Sequence, residues 1–165
     1  MIIACLGWGS LIWDRARFLS GGSGSTTGHL RQLSSPVNPR TGRVTLVIDQ
    51  SAAPVRLLWA QMTTTDLSRA KESLRDREQL TAKEWSSFIG SWQRGDPAPD
   101  TIPSLSAWAE ARGAEAVIWT ALGPKFNGKD RKSPSGEEAI AYLNTLTGPQ
   151  RDNAKQYIDR IPPSN

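Results

Sequence analysis

This sequence predicts an α+β domain, a small mixed β-barrel or sheet with flanking helices. Three observations point there. Apolar runs of strand length open the chain and recur at 43–49, 55–62 and 115–122. A helical period replaces them from Thr65 and again after Ser135. No internal repeat or linker-like composition divides the 165 residues, so one domain covering 1–165 is expected.

Residues 2–13 read as a first strand, interrupted by a turn or bulge near Gly7–Ser10. The stretch SGGSGSTTG at 20–28 reads as a flexible loop, because small polar residues supply no side chains to pack. In RVTLVID at 43–49, Val44, Leu46 and Ile48 alternate, and VRLLWAQM at 55–62 follows a DQSAAP turn. Those two segments are expected to pair as a hairpin. Thr65 or Asp66 can cap the helix TDLSRAKESLRDREQL. Residues 84–92 are apolar without a decisive period, and 94–103 is a Pro-rich loop. Ser104 to Arg112 reads as a short helix closed by Gly113, and EAVIWTAL at 115–122 as a buried strand. Ser135-Gly136-Glu137-Glu138 has the form of a capping box opening a helix with Ala139, Ile140, Leu143 and Leu146 on one face. Gly148-Pro149 breaks it, and a last helix carries Ala154, Tyr157, Ile158 and Ile161.

Composition narrows the functional classes. No apolar stretch approaches the roughly 20 residues that span a bilayer. The start MIIACLGW has neither a basic n-region nor a small-residue cleavage site, so a cytoplasmic location is expected. The single cysteine, Cys5, lies in an apolar run and reads as packing; it rules out an internal disulfide and a cysteine metal cluster. The net charge is +4, but the basic residues are scattered and the densest cluster, KDRKS at 129–133, is followed at once by Glu137 and Glu138. No stripe of the kind that binds nucleic acid results. Of seven tryptophans, Trp13, Trp59 and Trp119 fall in apolar runs and read as core. Trp8, set between two glycines, reads as the mouth of a pocket.

Two features ask for a functional reading. The first is Glu78. On a wheel of about 100° per residue, Leu67, Ala70 and Leu74 form a stripe, with Arg69, Glu72 and Asp76 opposite. Glu78, four residues past Leu74, continues the apolar stripe. A carboxylate there is costly to desolvate unless paired. It is a frayed helix end pointing to solvent, a structural ion pair with Arg75 or Arg77, or a general base. The second is GWGS at 7–10. Glycines in a strand mark a bulge or a close approach by another group. Without Cβ atoms, Gly7 and Gly9 would let a ligand reach the main chain, where oriented N–H groups bind anions.

Taken together, GWGSLIWD at 7–14, GRVTLV at 42–47, VRLLWAQM at 55–62 and LRDRE at 74–78 resemble the gamma-glutamyl cyclotransferase superfamily, in its ChaC-like and AIG2-like branches. Trp8 stands where that signature has tyrosine. The resemblance covers roughly residues 2–80; AVIWTALGPKF at 116–126 looks more like uncharacterised bacterial members. It implies a gamma-glutamyl cyclotransferase-like fold and an enzyme that cyclises a gamma-glutamyl amine to 5-oxoproline with release of the amine. Glu78 would be the catalytic acid/base, and Gly7, Trp8, Gly9, Ser10 and Leu11 would bind the substrate's amino-acid end. Neither cofactor nor metal is implied, and the expected partner is a small molecule rather than nucleic acid or membrane. The alternative is the same fold used as a non-catalytic binding or regulatory module.

Rival motifs are weaker. Gly123, Gly128 and Lys129 have P-loop spacing, but Asp130 stands where Ser/Thr should meet Mg²⁺. Gly7-Trp8-Gly9 lacks the third glycine of a dinucleotide fingerprint, which is Ile12. A Ser10/His29 hydrolase would need a positioned base, and His29, the single histidine, abuts the 20–28 stretch.

Overall fold

The computed structural model describes residues 1–8, 19–31, 47–48, 54–78, 80–81, 85–127 and 129–159. Within them the chain is α+β. The strands are β1 (Ile3–Gly7), β2 (Leu19–Arg31), β3 (Pro54–Met62), β4 (Ile89–Gln93) and β5 (Ala116–Thr120). They form one sheet in the order β2-β3-β1-β5-β4. β1 runs antiparallel to β3 and parallel to β5, and β4 closes the far side antiparallel to β5. The sheet is mixed and open, with β2 and β4 at its edges; among the described residues it does not close into a barrel.

The first strand lies at the centre because IACLG is apolar on both faces, and all five residues are buried. Alternation then sorts the core into two layers. Ile3 and Cys5 of β1 join Ala116 and Ile118 of β5, Met62 and Ile89 under the helix α1 (Leu67–Arg77). On the opposite face Ala4 and Leu6 join Leu57, Trp92, Val117 and Trp119. That face is covered by Ile102 and by Leu105, Trp108 and Ala109 of a further helix. A single turn, α2 (Trp85–Phe88), leads into β4, so the ambiguous stretch 84–92 holds both a helix and a strand. The helix over the second face is α3 (Leu105–Ala111), which ends before Gly113 at φ +67°. Beyond β5, a ribbon of β6 (Lys125–Phe126) and β7 (Lys129–Asp130) precedes α4 (Gly136–Thr145) and α5 (Gly148–Asp159).

Two expectations are corrected. The Gly/Ser/Thr stretch 20–28 is not a loop: it lies inside β2, laddered to β3 from Leu19↔Met62 to Arg31↔Pro54. Backbone pairing needs no side-chain bulk. The register shifts between Ser20 and Ser23 and between Thr26 and Leu30 are the irregularities expected of a glycine-rich edge strand. Segment 55–62 does not pair with 43–49, because β2 and β1 occupy both of its sides. Val47 and Ile48 are buried but not in a strand, and the rest of 43–49 lies outside the described residues. No helix of the described residues is long and apolar enough to cross a membrane.

Candidate functional site

Glu78 is where the wheel put it, at the end of the apolar stripe of α1. Asp66 starts that helix by accepting hydrogen bonds from the Ser68 and Arg69 backbone N–H groups at 2.8 and 3.1 Å. Ala70 and Leu74 are then fully buried against the sheet, while Arg69, Glu72 and Asp76 are exposed. One turn on, Glu78 caps the helix with its backbone N–H donating to the Leu74 carbonyl at 3.0 Å. Its side chain is only 20% exposed, so it does not fray into solvent. Arg77 Nη1 donates to Glu78 Oε1, and the Arg77 side chain is itself only 10% exposed. The ion-pair reading of Glu78 therefore holds, with Arg77 as the partner; Arg75 pairs instead with Asp76 at 2.7 Å.

The Arg77–Glu78 pair lies close enough to β1 to act on Cys5. The Cys5 thiol is pushed up to about 12, first by its burial and next by the Glu78 carboxylate, with Arg77 opposing. Cys5 precedes Gly7 by two residues on the same strand, so Gly7 faces the α1 side as Cys5 does. Trp8, half-buried, packs instead against the opposite layer. The fold thus brings Gly7 and Glu78 to one side of the sheet and turns Trp8 to the other. Gly9, Ser10 and Leu11 lie outside the described residues.

The face that Trp8 joins has a feature the sequence reading missed. Trp8, Trp59, Trp92, Trp108 and Trp119 all pack there. Trp59 and Trp108 meet edge to face, with ring centroids 5.6 Å apart and planes at 80°, and the Arg112 guanidinium lies 5.0 Å from the Trp108 ring. Trp92 Nε1 donates to the Asp96 carbonyl at 2.8 Å. The indole N–H groups of Trp59 and Trp108, by contrast, are buried without a hydrogen-bond partner. Gly90 belongs to this arrangement, since a Cβ there would stand 2.2 Å from the Trp119 ring. Trp108 sits three residues after Leu105 on an amphipathic helix, a signal for core, but no local pattern says that its ring meets Trp59.

The rival motifs find no support in the described residues. Segment 123–130 folds as the β6–β7 ribbon, with Lys125 paired to Phe126's neighbour Asp130 across it and Asn127 at φ +49°. No helix opens behind it before Gly136. Among the described residues no group of three or more His, Cys, Asp or Glu side chains could hold a metal ion. The side chains of Ser10 and His29 are not among those described.

No family model, no curated protein and no solved structure matches this chain.

Proposed function

We propose that the chain is a gamma-glutamyl cyclotransferase-like, cytoplasmic enzyme that converts a gamma-glutamyl amine to 5-oxoproline, with Glu78 as its general acid/base. The observation that carries this reading is an inward carboxylate at the end of α1, beside the strand whose Gly7 begins the GWGS segment. Glu78 takes a proton from the substrate's α-ammonium group, and the freed amine attacks the substrate's own γ-amide carbonyl. The new C–N bond closes a five-membered ring while the bond to the departing amine breaks, and Glu78 returns its proton to that nitrogen. The reaction is intramolecular, so positioning supplies much of the acceleration. A bound α-ammonium would replace Arg77 as the cation on Glu78.

A specific observation favours a second reading. A carboxylate already paired with Arg77 suits a non-catalytic binding or regulatory module in which Glu78 is structural. Glu78→Gln separates the two. It keeps the shape but cannot take up the ammonium proton, so release of 5-oxoproline from a panel of gamma-glutamyl amines should fall by about 10²–10⁴-fold. Glu72→Gln, on the exposed side of α1, should leave the rate unchanged. Retained turnover in the Glu78→Gln protein removes Glu78 from the mechanism. A wild-type protein that releases no 5-oxoproline from any member of the panel supports the module.

A further inference from the structure

The helices α4 and α5 carry an apolar face that the sheet does not cover. They are joined by Leu146 and Thr147 and touch through Leu146 and Ala154, with Tyr142 and Leu143 beside them. A groove of about 230 Å³ lies between the helices, floored by Leu143, Leu146, Ala154 and Ile158 and rimmed by Arg151 and Lys155. Ile158 is 42% exposed. One turn before Leu143 and Asn144, Ile140 stands 61% exposed. It projects from the same helix whose next turn lines the groove. One turn earlier still lies the exposed carboxylate of Glu137.

We propose that this face binds a second copy of the chain, with Ile140 of each protomer entering the groove of the other. The surface is self-complementary, as a two-fold interface requires. Each copy offers an apolar knob with an acidic residue beside it and an apolar groove with basic residues at its rim. Neither Glu137 nor Arg151 has an ion-pair partner among the described residues, whereas Lys155 is engaged with Asp159. Across the two-fold, Glu137 of one copy meets Arg151 of the other. Helices of 10 and 12 residues are about 15 and 18 Å long. The patch is therefore small, below the roughly 1,200 Å² of a stable complex, and the dimer is weak and concentration-dependent.

Sedimentation equilibrium over about 5–500 μM tests it, a range set by the small interface. The wild-type protein should pass from monomer toward dimer within that range. Ile140→Asp changes an exposed side chain, so the monomer stays folded by circular dichroism while dissociation strengthens about tenfold or more. Glu137→Arg should weaken the dimer alone, and adding Arg151→Glu should restore it to within about threefold. A protein that stays monomeric throughout the range overturns the proposal and leaves the face to a different occupant. A dimer that Ile140→Asp does not weaken overturns it equally, because the contact then lies elsewhere.

Discussion

Cys5 shows how a single side chain reports on its surroundings. It is buried at the centre of β1, and its thiol has only a weak contact, 3.7 Å from the Leu6 carbonyl. Raised from 9.0 to about 12, it stays protonated where a free cysteine ionises. Only the thiolate reacts, so labelling of the native protein by a maleimide at pH 8 should be about 10³-fold slower than that of the unfolded chain. The sign for stability follows. Below pH 9 the thiol is neutral in both states; above it the unfolded chain ionises and the native one does not. Stability contributed at this site is therefore lost as pH rises from about 9 toward about 12. Glu78→Gln removes one of the two upward pushes and should speed labelling of the native protein. An unchanged rate would mean that the carboxylate does not act on Cys5, whatever its role in turnover.

At the scale of the element, the two ends of α4 rest on different chemistry from its middle. Its first turn is a complete capping box: the Ser135 hydroxyl accepts from the Glu138 N–H at 3.1 Å and Glu138 Oε2 accepts from the Ser135 N–H at 2.9 Å. Lys132 adds a bond to Glu138 Oε1 at 2.8 Å. The Lys132 bond first, and the Ser135 bond next, hold the Glu138 carboxyl below its ordinary 4.5. A lowered value means that this support for the folded helix is present above pH 4.5 and is lost as pH falls through the native value. Ser135→Ala should cost about 1 kcal/mol in thermal or denaturant unfolding. In that variant the acid-induced loss of α4 order, followed by NMR, should also begin at higher pH. Unchanged acid behaviour would show that the cap does not govern the helix. Ser104 makes the contrast, because it stands at the N-cap of α3 yet its side chain makes no capping bond. That helix is held by Leu105, Trp108 and Ala109 in the core instead.

Across the whole molecule, cohesion is concentrated in the middle of the sheet. β1 and β5 are buried on both faces and pair with each other in parallel, so each core layer is built on them. The α4–α5 pair has a small cluster of its own and leaves Ile140 and Ile158 in water. Amides that open only with the core exchange slowest, and those in lightly packed elements fastest. Hydrogen exchange followed by mass spectrometry on dilute protein should therefore show β1 and β5 protected longest, with α4 and α5 exchanging well before them. Equal protection of the helices and the central strands would mean that they unfold as one unit with the sheet.

What the sequence by itself determined is local. The stripe of Leu67, Ala70 and Leu74, the Asp66 cap, the Ser135–Glu138 box and the buried β5 run are legible because each depends on residues within a turn or two of one another. The inward direction of Glu78 belongs here too, since it follows from helical spacing. Contacts across the sheet were decided only by tertiary structure. A polar Gly/Ser stretch became β2 because β3 offered it a backbone ladder, which no side-chain pattern announces. The same pairing took the side of β3 that a hairpin with 43–49 would have needed. Arg77 rather than solvent meets Glu78 because the end of α1 lies against β1. Gly7 and Trp8, adjacent in sequence, part to opposite faces because a strand alternates, and the layer waiting for Trp8 was assembled from β3, β4, β5 and α3, segments that begin 46 or more residues further along the chain.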